Sequence, residues 1–113
     1  MRVGKNALGE FEEVVMLTVG ILYDEAYGIA VKTEIEKRLD RKVSVGALQS
    51  ALTRLEDKGF LQSREGAPAP NRAGRPKRFF TITSAGQTAL ENARAMRQGL
   101  WEAIPAVAFP NKS

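Results

Sequence analysis

The sequence predicts a mainly α-helical fold that carries one small β-hairpin. Three observations lead there: stretches whose apolar residues recur at helical spacing, two short runs of strand composition at Leu61–Arg64 and Arg78–Ile82, and a turn-rich segment between those runs that holds three prolines, two glycines and an asparagine. A hairpin that follows a short amphipathic helix is the winged helix-turn-helix arrangement, here with an added C-terminal dimerisation helix.

Residues 1–8 show no apolar periodicity and read as a flexible arm. From Gly9 to Tyr23, Phe11, Val14, Val15, Thr18, Ile21 and Leu22 follow the i, i+3, i+4, i+7 spacing of a one-sided first helix. Asp24 and Glu25 break the pattern, and a second helix over Tyr27–Leu39 sets Val31, Ile35 and Leu39 on one side. The connection is short, so the two helices must cross. Val43 could form a one-rung strand after the charged turn, and Ser44 is a good N-cap. A third helix then runs over Val45–Lys58, with Val45, Leu48, Ala51, Leu52 and Leu55 on one arc and Gly46, Gln49, Ser50, Thr53, Arg54 and Asp57 on the other. Gly59 supplies a left-handed stop. Beyond the hairpin, Thr83 or Ser84 caps a last helix through about Ala103, and Pro105 ends it. The division that follows is an arm (1–8), a winged helix-turn-helix domain (9–82), a C-terminal helix (83–104) and a tail (105–113).

At 113 residues the chain is one small domain that hides only about 65% of its unfolded surface, which makes a second subunit a natural stabiliser. It has no cysteine and no histidine, which removes disulfides, thiol nucleophiles, imidazole bases and nearly all zinc ligand sets; no metal and no cofactor are expected. No GxSxG, P-loop or GxGxxG string is present, and the acidic residues of the first two helices lie at solvent-type spacing, so no enzyme is expected. The longest apolar run, Val14–Leu22, is broken by Thr18 and Gly20; it neither spans a bilayer nor resembles a signal peptide, and a cytoplasmic protein is the expectation.

The net charge of +4 is unevenly placed. Residues 1–60 hold 9 Lys/Arg against 10 Asp/Glu, whereas residues 61–113 hold 8 against 3. In the hairpin, Arg64, Arg72, Arg75, Lys77 and Arg78 face a single acid, Glu65, which is the footprint of a polyanion partner. The third helix has the small and hydrogen-bonding residues that entry into a DNA major groove requires. Ser44, Gly46 and Ala47 stand at its amino end, where unpaired N–H groups favour phosphate, and Gln49, Ser50, Thr53 and Arg54 are candidates for base or phosphate contact. Arg54 could instead pair with Asp57. Arg72, Arg75, Lys77 and Arg78 cannot all fold inward unpaired, so they point at solvent or phosphate. GRPK resembles the core of an AT-hook, which makes Arg75 the candidate minor-groove probe. Phe79 and Phe80 alternate on a strand, so one should enter the core; Tyr23 and Tyr27 read as core or interface residues.

Four strings in order, LGEFEEVVMLTVGIL, EAYGIAVKTEIE, VSVGALQSALTRLEDKGFL and GRPKRFFTITSAGQTAL, resemble the PadR family of transcriptional regulators in its short form, over roughly Leu8–Leu90. The resemblance implies a homodimer joined through the N- and C-terminal helices, and repression by binding a palindromic double-stranded DNA operator. Phe11 and Val15 of the first helix would then meet Leu90, Ala93, Met96, Leu100, Trp101 and Ile104 of the last. It also implies a small aromatic effector between the C-terminal helices, with Met96 and Trp101 as linings. One departure stands out: many members have a tyrosine at the position of Gln49. The alternative is a winged-helix module that binds another protein without operator DNA, which a flat response of affinity to salt would favour.

Overall fold

The computed structural model describes residues 8–68 and 76–110. Helix α1 spans Glu10–Leu22 and leads through a 3₁₀ turn at Tyr23–Glu25 into α2, Gly28–Leu39; α3 spans Val45–Asp57. Strands β1, Leu61–Pro68, and β2, Pro76–Ile82, pair antiparallel, and α4, Ser84–Ala103, precedes a second 3₁₀ turn at Ala106–Ala108. This is a mostly helical winged helix-turn-helix with an added C-terminal helix, as the sequence predicts.

The core sits where α1, α2 and α3 meet the hairpin: Val15, Met16 and Val19 pack with Val31, Ile35, Leu48, Leu52, Leu55 and Phe80. On α1 the buried stripe is rotated from the expected one. Glu12, Val15, Met16 and Val19 are buried, Phe11 is half-buried and Ile21 is exposed. The cause is that Glu12 and Glu13, expected in solvent, are buried and paired. Glu12 accepts from the Gly9 N–H (2.9 Å), Arg54 Nε (2.9 Å) and Lys58 Nζ (2.8 Å), and so fastens the first turn of α1 to the last turn of α3. Burial alone would raise the Glu12 pKa; the Gly9, Lys58 and Arg54 hydrogen bonds outweigh it and hold the carboxyl at about 2. Glu13 Oε1 lies 2.7 Å from Arg97 Nη2 of α4, a close ionic contact not aligned as a hydrogen bond.

Helix α3 forms as its caps dictate. The Ser44 Oγ accepts from the Ala47 N–H (3.0 Å), and Gly59, at φ +79°, ends the following turn in the left-handed region. The turn before α3 is held from α2: Glu36 Oε2 accepts from the Val43 N–H (2.9 Å) and from Lys32 Nζ (3.1 Å), and the carboxyl is held below its usual range chiefly by the Val43 bond. Val43 is buried but forms no strand. The extra rung beside β2 comes from Tyr27, which bridges Phe79, while the Phe80 N–H donates to the Ala26 carbonyl (2.8 Å). Leu39, expected on the packed side of α2, is exposed, as is Val45, expected on the apolar arc of α3; Tyr23 is exposed too and so is not a core residue.

The hairpin is longer than its composition predicts. Pro68 and Pro76 face one another at the far end of the ladder, past an irregularity in register after Glu65. Proline is tolerated at such ladder ends because no inner partner needs its missing N–H. Thr83 caps α4, accepting from the Gly86 N–H (3.0 Å) and donating to the Gly59 carbonyl (2.6 Å), so α4 is rooted on the turn that closes α3. Its first turns pack on the core through Ala89 and Leu90, and from Arg94 onward every residue of α4 is exposed. The molecule is accordingly drawn out to 60 × 35 × 22 Å, with a radius of gyration of 17.0 Å against about 13 Å for a compact chain of this length.

Candidate nucleic-acid interface

The outward side of α3 is small and polar because the inner arc, Leu48, Ala51, Leu52 and Leu55, takes all the core contacts. Gly46, Ala47, Gln49, Ser50 and Thr53 are exposed along it, with Ser44 at its head. The wing stands beside this helix: a cleft of about 220 Å³ is lined by Val45 and Gln49 of α3, by Tyr27, Ile29 and Lys32 from the start of α2, and by Lys77 and Arg78 of β2. Gln49 and the two wing cations therefore border one concavity.

Aromatic contacts hold the wing side chains in place. Lys77 Nζ sits 4.1 Å from the centroid of the Tyr27 ring, and the Arg64 guanidinium lies 4.8 Å from that of Phe79. The Tyr27 and Phe79 rings meet edge to face at 5.6 Å. Of the strand pair, Phe80 enters the core and Phe79 lies between wing and α2. Arg78 Nη1 donates to Ser63 Oγ (2.8 Å), which donates to Glu56 Oε2 (2.6 Å). That relay ties the wing to α3 while leaving the Arg78 side chain exposed.

Arg54 pairs with Glu12 rather than Asp57 and turns toward α1, away from the cleft. Arg72 and Arg75 lie outside the described residues. Lys32 and Ile29 join the cleft without having been singled out from sequence. Ile29 had a signal: it lies well off the Val31–Ile35 arc of its helix, and an apolar residue there has no core to enter. Among the described residues no group of three or more His, Cys, Asp or Glu could hold a metal ion, and no helix is long and apolar enough to cross a membrane.

A second candidate surface is α4. Leu100 and Trp101 are 66% and 63% exposed, and Met96 and Ile104 are also exposed. Leu90 and Ala93 are half-buried, Leu90 against the core. Val15 is a correction: its side chain is wholly buried inside the chain and has no surface to offer a partner. Leu17, exposed on α1, borders the groove between α1 and α4 instead, with Glu13, Arg94, Arg97 and Trp101. Met96 opens onto a different groove, beside Leu8, Phe60 and Ala93, so within one chain Met96 and Trp101 do not share a cavity. The tail folds back so that Phe109 packs on Trp101 at 5.6 Å between ring centroids.

The sequence profile of the transcriptional regulator PadR-like family matches residues 17–92. No curated protein matches the chain. Among solved structures, a PadR-like transcription factor from Bacteroides fragilis is 26% identical, with a TM-score of 0.68 over 81% of this chain and 84% of its own. A PadR family transcriptional regulator from Eggerthella lenta is 23% identical, with a TM-score of 0.68 over 90% and 88%. A PadR-like transcriptional regulator from Bacillus cereus is 17% identical, with a TM-score of 0.70 over 89% and 93%. At the two lower identities the likeness is one of fold.

Proposed function

Because the chain belongs to the PadR-like family of transcriptional regulators, we propose that it is a repressor that binds a palindromic double-stranded operator as a homodimer, with α3 in the major groove and the wing on phosphates. The observation that carries this reading is the shared cleft: Gln49 of α3 and Lys77 and Arg78 of β2 border one concavity, so a duplex seated on the helix meets the wing cations. Arg72 and Arg75 belong to the wing tip by sequence, and Arg75 is assigned to the adjacent minor groove on its GRPK context.

Salt dependence tests this directly. Each phosphate neutralised contributes about 0.9 to the slope of log affinity against log salt. Lys77→Ala with Arg78→Ala should lower that slope by about two units and weaken binding about tenfold or more at 0.15 M salt, uniformly across sequences. A slope equal to the parent's would remove the wing from the interface.

The dimer reading rests on the exposed apolar end of α4 together with Leu17. A chain of 12.4 kDa that leaves Leu100 and Trp101 in water gains by covering them with a second copy. Leu100→Lys with Trp101→Asp should sediment as a monomer, with helix content retained because both side chains are exposed. A small aromatic effector would enter along this seam, where Trp101 of one copy and Met96 of the other could meet.

A further inference from the structure

We propose that Ile29 and Val45 form an apolar rest for the 5-methyl group of a thymine, beside the amide of Gln49, so that each half-site selects an A·T pair at one position by its methyl as well as by its hydrogen bonds. The proposal depends on the operator-binding reading above. Ile29 and Val45 are 55% and 54% exposed, on a cleft whose other walls are Tyr27, Leu48 and Phe80 with the polar side chains of Gln49, Lys32, Lys77 and Arg78.

The two side chains come from different helices and line the same cleft. Val45, the first residue of α3, is not on the buried arc with Leu48 that its sequence spacing suggests; it is half exposed and lines the cleft one turn before Gln49. The Gln49 side chain reaches across to α2: a Cβ built on Gly28 would lie 3.3 Å from Gln49 Nε2, so the amide hangs over the residue next to Ile29. An A·T pair presents to the major groove an adenine edge with N7 and N6, which a glutamine amide can pair with, and a thymine edge marked by a methyl group. One primary amide flanked by two aliphatic side chains has the polar and apolar halves of that pattern. Lys77 and Arg78 on the rim favour a phosphate-bearing occupant.

The experiment first selects the tightest duplexes from random DNA with the full-length protein. Each thymine of the selected site is then replaced by deoxyuridine, which removes only the methyl. One position per half-site should lose about fourfold in affinity, the value of one buried methyl-sized group. In the Ile29→Ala, Val45→Ala protein that position should no longer distinguish thymine from uracil, while hydrogen-bond-dependent selectivity through Gln49 persists. Neither substitution opens a cavity, because both side chains are more than half exposed; circular dichroism checks that the variant is folded. A selected sequence with no uracil-sensitive position overturns this proposal alone. An undiminished methyl effect in the double variant also overturns it. Recovery of no preferred sequence removes it together with the operator-binding reading, and specific capture of a peptide in this cleft would do the same.

Discussion

Replacing Glu12 with alanine should destabilise the fold by about 3 kcal/mol or more, because it withdraws a buried carboxylate from three donors at once. The Gly9 N–H would lose its acceptor at the start of α1, and Arg54 and Lys58 would face the gap together. The same group makes stability depend on acid. Its folded pKa, about 2, lies below the ordinary 4.5, so its contribution is fully present above about pH 4.5 and is lost as pH falls toward 2. Urea midpoints at pH 6 and pH 3 should show the parent losing on the order of 2 kcal/mol more than Glu12→Gln over that interval. Identical pH dependence in the two proteins would show that the triad is not the source. Because Glu12 also holds the last turn of α3, the alanine variant should bind DNA more weakly even where it remains folded.

The second large effect is expected at Gly86. A Cβ there would lie 2.2 Å from the Phe60 carbonyl oxygen and 3.0 Å from Met16 Cε. The carbonyl cannot swing aside freely, since it accepts the Thr83 N–H at 3.1 Å. Gly86→Ala must therefore displace the root of α4 and disturb the Thr83 cap, at a cost of about 3 kcal/mol. Gly99 is the contrast: nothing lies within 4 Å of its Cβ position, and Gly99→Ala should stabilise the helix by up to about 1 kcal/mol. Urea unfolding of the pair measures both signs, and sedimentation of Gly86→Ala beside the parent tests whether displacing α4 alters the proposed self-association. Equal effects from the two alanines would mean that the close approach at Phe60 is not restrictive.

Helix α3 could be read from its residues because local chemistry specifies it: Ser44 caps one end, Gly59 stops the other, and Leu48, Ala51, Leu52 and Leu55 carry the apolar arc, with only Val45 at its start turned out to the surface. Helix α1 was harder. Its apolar residues are compatible with more than one facing, and the choice is made by Glu12 and Glu13, whose burial depends on Arg54, Lys58 and Arg97, distant in sequence. Composition treats a glutamate as solvent-facing and cannot see those partners. Val15 belongs to the apolar stripe on either facing; it is offered to a second chain only by the family resemblance, and the structure commits it wholly to the core. Pairing of Tyr27 rather than Val43 with the wing follows from how α2 is set against β2, a tertiary relation with no local signature. At the candidate interface, Lys77, Arg78 and Gln49, which the cleft brings together, could be named from residue type alone. The inclusion of Ile29 and Lys32 required knowing that the first turn of α2 faces the hairpin.

Twenty residues of α4 make a rod about 30 Å long, rooted around Phe60 and Thr83, packed on the core through Ala89 and Leu90, and tied further along to α1 by the Arg97–Glu13 ion pair. Such a rod is a lever. A change of about 10° at its base carries the far end about 5 Å, more than one base-pair rise along B-DNA. If two copies join through α4 as proposed, whatever fills the grooves between α4 and the rest of the chain, or breaks the Arg97–Glu13 tie, would retune the span between two reading heads without touching either of them.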